Sequence, residues 1–370
     1  MRGWGSVTPW QRFLLVFTPL AVWHILFYPI DDKVATTINI QLSNNSKKNE
    51  DVVPNEHTEP LVFQEGQIRG AAMMLVSKPW TNRRGDRQCY FNKSMDDLAR
   101  NWFPTNPYPI ILQHPKGWTA TEIKDIRQRW PQLQIYFSQP SFRKLKPPKL
   151  MQDDEKPLSS LGYKKMCAFK TYGIKEAPYI RTRQLDYLFY IDDDACVTEP
   201  IQYDVFATMQ QHKIAYTYKQ IFTDPENVVH GLPDFVQEYK RQHNNLQPAN
   251  PTLEAFVLDH QKDGSQWAFS TNLEWLDVQE FFFRRPDIVE FYRVLQESGM
   301  IFHRRWGDAP LRFVMAYLFF HNSQVMRLCS EYVHSGWPTA VSTCTDPQQQ
   351  TPTIQDAVLQ QLKDCVATCN

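Results

Sequence analysis

The most constraining feature of the sequence is a short apolar run that ends directly in three carboxylates. Tyr187 to Ile191 reads YLFYI, which is typical of a buried β-strand, and Asp192, Asp193 and Asp194 follow without a break. In open α/β sheets, ligands collect at the carboxyl ends of the strands. Three carboxylates placed there need a counter-charge, because an unpaired buried charge is costly. The run therefore predicts a sheet that carries a polar site at the end of this strand.

A divalent cation is the counter-charge that this spacing favours. Alternate side chains of an extended segment share one face, so we expect Asp192 and Asp194 to converge while Asp193 points away. Mg²⁺ and Mn²⁺ take such oxygen ligands and keep positions open for phosphate oxygens. A solvated turn or a helix cap would produce the same spacing, and the residues alone leave both interpretations open.

Strands and helices alternate in the rest of the globular part. The sequence predicts strands at Ala71–Ser77, Tyr108–Gln113 and Leu133–Phe137, and helices at Met95–Trp102 and Thr119–Trp130. This order indicates an α/β fold with a mostly parallel central sheet. Lys plus Arg and Asp plus Glu both total 40, and this charge balance argues against a protein that coats nucleic acid.

Two further carboxylates and a histidine stand in apolar surroundings. Glu274, in WAFSTNLEWL, is either an exposed residue of a half-buried strand or a functional carboxylate with a shifted pKa. Asp308 precedes an apolar helix, where it either caps free amides or accepts hydrogen bonds from sugar hydroxyls, with Arg304 or Arg305 near a diphosphate. His334 is either a structural histidine or a ligand.

The first thirty residues indicate a membrane anchor. Arg2 and Arg12 precede an apolar run, Phe13 to Ile30, and Asp31 follows it. As a helix this run is about 27 Å long, enough for a thin bilayer. Basic residues before the run and acidic residues after it predict a cytoplasmic N-terminus and a lumenal remainder. A cleaved signal peptide is the alternative.

The chain then divides into five predicted parts. These are a cytoplasmic tail (1–12), a transmembrane signal-anchor (13–30), a stem (31–66), a globular catalytic domain (67–345) and a C-terminal tail (346–370). Asn44 and Asn92 lie in glycosylation triplets, which a lumenal chain could use. The seven cysteines are an odd number, so a lumenal chain with several disulfides would still leave at least one cysteine outside them.

Three segments of the chain resemble glycosyltransferase family 15, the α-1,2-mannosyltransferases of the fungal Golgi. They are GYKKMCAFK (Gly162–Lys170), STNLEWLDVQEFFFR (Ser270–Arg284) and HRRWGDAPLR (His303–Arg312), and the similarity extends from about Ala71 to Trp337. The resemblance implies a GT-A fold, in which a Rossmann-like nucleotide-binding layer joins an acceptor-binding layer. It also implies a Golgi membrane enzyme that uses Mn²⁺ (or Mg²⁺) to move mannose from GDP-mannose onto a mannose-containing glycan, with retention of configuration.

The resemblance assigns roles to individual residues. Tyr163 matches a tyrosine near the donor sugar, and Glu274 matches the acidic residue proposed as nucleophile or transition-state stabiliser. Asp192 and Asp194 fall on the two acidic positions of the family's E-P-D metal motif. His334 matches a histidine that completes the metal site.

Substrate contacts follow from the same motifs. Asp308 matches the sugar-contacting aspartate of W-G-D-A-P, and Arg305, Trp306 and Asn272 are expected to bind substrate beside it. The chain departs from the family at D-D-D, which replaces E-P-D, and at Ala168, where an arginine is usual. Two alternatives therefore stay open: a different donor, such as UDP-galactose or UDP-xylose, and a catalytically silent paralogue that binds glycans.

Overall fold

The computed structural model describes most of the predicted globular domain. It describes residues 59–77, 81–82, 85–143, 145, 147, 159–224, 226–260, 266–269, 271–328, 332–334 and 337–338. The predicted cytoplasmic tail, anchor and C-terminal tail lie outside these residues, as do Asn44 and the stem before residue 59. In the described part, every helix is too short or too polar to cross a membrane.

Seven strands form the central sheet. They are β1 (Gly70–Leu75), β2 (Ile110–Gln113), β3 (Ile135–Ser138), β4 (Tyr187–Asp192), β5 (Tyr216–Tyr218), β6 (Leu273–Asp277) and β7 (Val325–Arg327). Their spatial order is β7-β5-β6-β4-β1-β2-β3. Neighbouring strands are parallel except at β6, which is antiparallel to both β4 and β5. The prediction of a mostly parallel sheet is confirmed.

Helices cover both faces of this sheet. In the described residues they are α1 (Arg87–Asp97), α2 (Ala120–Arg129), α3 (Leu161–Thr171), α4 (Pro178–Arg181), α5 (Val205–His212), α6 (Glu226–Val229), α7 (Leu232–Gln242), α8 (Pro251–His260), α9 (Pro286–Ser298), α10 (Met300–His303) and α11 (Asp308–Phe319). Short strands outside the central sheet include a ribbon of Ile221–Asp224 with Gln266–Phe269, and the strand Ala195–Val197, which pairs with Tyr332–His334.

The predicted strands are confirmed to within two residues at each end, because each is a compact apolar run bounded by polar residues or proline. Thr119, where the second predicted helix was expected to begin, is the N-cap of α2. The Thr119 Oγ1 accepts from the Glu122 amide at 3.2 Å, and the Glu122 carboxylate accepts from the Thr119 amide at 2.8 Å.

The helix predicted at Met95–Trp102 begins eight residues earlier, at Arg87, and continues into a π-helical turn, Leu98–Trp102. Its buried side, Phe91, Met95, Leu98 and Trp102, follows helical spacing. The first turn of α1 is mostly polar, so the apolar spacing that predicts a helix is not recognisable there.

The sheet separates two apolar cores. Alternate residues of β4 face opposite sides: Leu188 and Tyr190 join the core beneath α3 and α11, whereas Phe189 and Ile191 join the core beneath α1 and α5. In the second core, the rings of Phe189 and Trp275 stack with their centroids 4.3 Å apart. Asp192 continues the alternation, so it extends on the α3 and α11 side.

Candidate active site

The three consecutive aspartates form the end of β4 and the turn after it. Asp192 is the last residue of the strand, and its amide donates to the Asn272 carbonyl at 3.0 Å. Asp193 is buried, and its carboxylate accepts from the Ser77 amide at 2.6 Å. The strand ends at Asp192 and residues 193–194 form a turn, so the extended segment on which Asp192 and Asp194 were expected to converge is not formed. Ser94 of α1 donates to the Ala195 carbonyl at 2.6 Å, which fixes the turn.

The centre of the site is a lysine that sequence analysis did not single out. The Lys170 ammonium lies 3.2 Å from the Asp192 carboxylate and 2.9 Å from the Asp308 carboxylate, and it donates to the Thr271 carbonyl at 3.0 Å. Its side chain is 2% exposed and lies over the Tyr190 ring, 4.8 Å from the centroid. Burial lowers the pKa of Lys170, but the two carboxylates outweigh burial and hold it well above its ordinary value.

Asp308 begins α11, as the sequence predicted, but Gly307 occupies the capping position and makes no side-chain cap. The Asp308 carboxylate instead accepts from the Thr271 hydroxyl at 2.6 Å and pairs with Lys170. Burial alone would raise the pKa of Asp308, yet Lys170 and the Thr271 hydrogen bond bring it below its ordinary value. Asp308 is therefore an ionised, buried partner of Lys170.

Glu274 lies in the middle of the sheet, on β6, and is paired with Arg312 of α11. The Arg312 guanidinium donates through Nε to Glu274 Oε2 at 3.0 Å and through Nη2 to Oε1 at 3.1 Å. The Tyr216 hydroxyl donates to Oε2 at 3.0 Å. Both charged side chains are 1% exposed, so the interpretation of Glu274 as an exposed residue is wrong.

The electrostatics of this pair follow from burial. Burial raises the pKa of Glu274, although Arg312 and Lys170 oppose the shift. Burial lowers the pKa of Arg312, and the Glu274 carboxylate more than reverses this effect. Arg312 also donates to the Lys170 carbonyl at 3.1 Å, so the two ion pairs form one hydrogen-bonded network.

Tyr163 and Arg305 form the more open side of the site. The Arg305 guanidinium donates to the Tyr163 hydroxyl at 3.1 Å and lies over its ring, 4.9 Å from the centroid. Burial holds the pKa of Tyr163 well above its ordinary value. Asp224, at the end of the ribbon, interacts with Arg305 and Asp308. Burial raises its pKa to about 6. No sequence signal marked Asp224, because it stands in an ordinary turn-like segment.

Asn272 and Trp306, both predicted to bind substrate, differ in position. The Asn272 side-chain amide donates to the Asp192 carboxylate at 2.8 Å, which places it inside the site. The Trp306 indole is completely buried, donates to the His230 carbonyl at 3.0 Å and packs against Phe235. This position gives Trp306 a packing role in the core, and its contact with substrate stays a prediction.

The predicted metal ligands are only partly assembled. The Asp192 carboxylate is already bound to Lys170 and Asn272. The strand pairing places His334 opposite Ala195, directly beside Asp194, while the His334 side chain lies outside the described residues. The described residues contain no cluster of three or more His, Cys, Asp or Glu side chains arranged around a metal. The assignment of Asp194 and His334 to a metal stays a prediction.

The family model described as "Glycolipid 2-alpha-mannosyltransferase" matches residues 136–350, more than half of the chain. The chain belongs to this mannosyltransferase family. The match begins in β3, so β1 and β2 lie outside it, and the expected start of sequence similarity near Ala71 is not reached.

Two curated relatives of this mannosyltransferase-family chain are yeast proteins. The chain is 28% identical over 172 residues to O-glycoside alpha-1,2-mannosyltransferase homolog 3 of Schizosaccharomyces pombe. The aligned region covers 45% of this chain and 44% of that protein. The chain is 25% identical over 167 residues to probable mannosyltransferase KTR3 of Saccharomyces cerevisiae, which covers 45% and 40%. The chain thus spans less than half the length of the curated relatives it matches.

Two solved structures share the fold of this mannosyltransferase-family chain. One is core-mannan synthase A from Aspergillus fumigatus in its Mn/GDP form, with 19% identity, a TM-score of 0.62 and coverage of 76% of this chain and 81% of that one. The other is the mannosyltransferase Ktr4p from S. cerevisiae in complex with GDP, with 18% identity, a TM-score of 0.62 and coverage of 77% and 76%. The fold is therefore that of an α/β glycosyltransferase.

Proposed function

We propose that the protein is a retaining α-1,2-mannosyltransferase that moves mannose from GDP-mannose onto a mannose-containing glycan in protein glycosylation. The observation that carries the proposal is one buried network at the carboxyl end of β4, in which Asp192, Asp308 and Glu274 are joined through Lys170 and Arg312. Family membership, and the GDP and manganese named for the two solved structures, support the donor and the metal.

The proposal places a divalent cation, Mn²⁺ or Mg²⁺, at the turn after β4. Asp194 offers a hard oxygen ligand and His334 an imidazole, and a nucleotide diphosphate would supply further oxygens. When bound, the cation stabilises negative charge on the departing diphosphate. The proposal includes the GT-A arrangement of two layers. The carboxyl ends of β1, β2 and β4 would line the nucleotide-binding layer, and α11 would contribute to the acceptor-binding layer.

Glu274 is the carboxylate that we assign to the positive charge developing at the anomeric carbon during transfer. Retention requires either a covalent intermediate on a carboxylate or same-face attack with a carboxylate stabilising the cation. Both oxygens of Glu274 accept hydrogen bonds from Arg312, which fixes the orientation of the carboxylate for either role.

Tyr163, Arg305, Asn272 and Asp308 complete the sugar side. Arg305 is partly exposed and held by Tyr163, a position from which it can reach a phosphate or a sugar hydroxyl. Asp308 and Asn272 are held in place by hydrogen bonds to Thr271 and Asp192, respectively, and are proposed to line the floor of the sugar site. Trp306 supports this side by packing.

The membrane location belongs to the same proposal. The apolar run at residues 13–30, with basic residues before it and acidic residues after it, supports a single-pass type II Golgi membrane protein with a lumenal catalytic domain. Protease protection in sealed microsomes tests this topology. A lumenal domain resists added protease until detergent is present, and digestion in intact vesicles would contradict the orientation.

The activity is tested with the full-length protein in detergent, GDP-mannose, Mn²⁺ and methyl α-mannoside, with NMR of the product linkage. An α-1,2-linked dimannoside is the expected product. UDP-galactose and UDP-xylose in parallel reactions separate the alternative donors. GDP or glycan binding without transfer from any donor would identify the silent paralogue.

A further inference from the structure

Lys170 contacts Asp308 with its ammonium and Arg312 with its main-chain carbonyl. We infer that Lys170 is a positioning residue of the transfer reaction, which orients Asp308 toward the donor sugar and supports Arg312 behind Glu274. The inference deepens the proposed function and rests on it, because Asp308 and Glu274 are the groups through which Lys170 acts.

The ammonium of Lys170 selects one oxygen of Asp308. It lies 2.9 Å from Asp308 Oδ2, and the Thr271 hydroxyl donates to the same Oδ2 at 2.6 Å. Two donors that converge on one oxygen restrict the rotation of the carboxylate, and the charged donor makes the stronger of the two bonds. Oδ1 is therefore the oxygen of Asp308 that we assign to a sugar hydroxyl.

The ammonium itself is held in a fixed position. It donates to the Thr271 carbonyl at 3.0 Å, lies 3.2 Å from Asp192 Oδ1 and stands over the Tyr190 ring. The side chain of Lys170 is 2% exposed. Its withdrawal would leave the buried carboxylate of Asp308 without its ion pair, which is costly. Lys170 is therefore a rigid support for Asp308.

The main chain of Lys170 supports the proposed reactive carboxylate. Lys170 is the next-to-last residue of α3, and the last four carbonyls of a helix have no partner within it. Arg312 Nη2 donates to the Lys170 carbonyl at 3.1 Å and to Glu274 Oε1 at 3.1 Å. A cation is favoured at a helix C-terminus, so the end of α3 helps to hold the guanidinium against Glu274.

A purely structural lysine is the alternative. In that case the ammonium neutralises buried carboxylates so that the domain folds, and its loss lowers stability alone. A positioning lysine also lowers kcat of the molecules that do fold. GDP affinity separates these roles from a role in nucleotide binding, because the contacts of Lys170 with Asp308 and Arg312 concern the sugar and the reactive carboxylate.

The first experiment compares Lys170→Met with Lys164→Met in the full-length protein in detergent. Lys164 is a second buried lysine of α3, and its ammonium donates to the Phe302 carbonyl at 2.5 Å. Both variants are expected to lose stability, which urea titration measures. The number of folded molecules is obtained from the stoichiometry of GDP binding in calorimetry.

Only Lys170→Met is expected to lower kcat per folded molecule. The expected loss is about 100-fold, with GDP affinity and KM for GDP-mannose within about threefold of the parent protein, because a small misplacement of the groups around the sugar has effects of this size. Lys164→Met should keep the kcat of the parent protein. Equal kcat values for the two variants would overturn the inference, and so would a loss confined to GDP affinity.

A double variant keeps the inference testable if Lys170→Met does not fold. Lys170→Met with Asp308→Asn removes one positive and one negative charge together, and Asp192 keeps its hydrogen bond from Asn272. If Lys170 acts through Asp308, the kcat of the double variant stays within about threefold of Asp308→Asn alone. Radiolabelled GDP-mannose makes such slow variants measurable. A further loss of about 100-fold, as expected of two independent residues, would overturn the inference.

The outcomes separate the inference from the proposed function. A parent protein that transfers mannose, with Lys170→Met as active per folded molecule as Lys164→Met, overturns the inference and leaves the proposed function intact. A parent protein that binds GDP and transfers no sugar contradicts the proposed function itself.

Discussion

Arg312 holds both carboxylate oxygens of Glu274 from the adjacent helix α11, and neither side chain is exposed to solvent. A bidentate guanidinium–carboxylate pair fixes the plane of the carboxylate as well as its position. The pair also ties the central strand β6 to the helix that begins with Asp308. The proposed catalytic carboxylate is therefore oriented by the fold before any substrate arrives.

Glu274→Gln is expected to reduce the rate of mannose transfer at least 100-fold, because the neutral amide cannot stabilise a developing cation. It is also expected to lower the free energy of unfolding by about 3–5 kcal/mol, since Arg312 is left as an unpaired buried charge. Transfer is measured with GDP-mannose and methyl α-mannoside, and stability by urea titration. Near-normal turnover would remove Glu274 from the mechanism.

The double variant Glu274→Gln with Arg312→Met separates the two effects. Without either charge, the buried position no longer holds an unpaired ion, so stability is expected to recover by at least half while transfer stays lost. Recovery of transfer together with stability would show that Glu274 acts only through folding.

Tyr163→Phe removes the hydroxyl that accepts from Arg305 and keeps the ring beneath the guanidinium. We expect kcat/KM for GDP-mannose to fall about tenfold while GDP affinity, measured by calorimetry, changes less than twofold. The matched control is Tyr108→Phe, whose hydroxyl donates to Asp204 on the opposite side of the sheet. That control should lose about 1 kcal/mol of stability and no activity.

Removal of the divalent cation should abolish donor binding. In excess EDTA the calorimetric signal for GDP is expected to disappear, and added Mn²⁺ should restore it, because the metal neutralises the diphosphate. Asp194→Ala should reproduce the EDTA result in the presence of Mn²⁺. Unchanged GDP affinity in that variant would refute the metal assignment.

Asp224 predicts a specific dependence of stability on pH. Burial raises its pKa to about 6, so the folded state binds the proton more tightly than the unfolded state does. The resulting contribution to stability is complete below about pH 4 and is lost as the pH rises through about 6. Asp224→Asn stays uncharged, and its free energy of unfolding should gain up to about 3 kcal/mol on the parent protein between pH 4 and pH 7.

Asp277 is the matched control for that experiment. Burial raises its pKa to about 6 as well, and it lies at the opposite end of β6 from the site. Asp277→Asn should therefore alter the pH dependence of stability in the same direction and leave the pH profile of transfer unchanged. A change in that profile for Asp277→Asn but not for Asp224→Asn would contradict the placement of Asp224 beside the site.

The strands and the polar strand end could be predicted because both are local patterns. The run YLFYI followed by three aspartates predicted the position of β4 and the polar cluster at its end. The helix start at Asp308 was equally local, although its side chain turned out to bind Lys170 rather than the backbone.

The cationic half of the site could not be predicted in this way. Lys170 and Arg312 stand 142 residues apart, and no spacing rule reveals that one donates to the carbonyl of the other. Lys170 lies in the segment of Tyr163, and Arg312 lies in the segment of Asp308. In both segments the family resemblance assigned a role to the tyrosine or the aspartate and none to the cation. The burial of Trp306 in the core was equally hidden from the sequence, because the residue stands among polar and charged neighbours in HRRWGD.

Lys170 presents its ammonium to Asp192 and Asp308 and its main-chain oxygen to Arg312, which in turn orients Glu274. The ion pair of the polar strand end and the ion pair of the proposed reactive carboxylate therefore meet at a single residue. We expect a substitution of Lys170 to disturb the orientation of Glu274 as well as the pairing of Asp192 and Asp308.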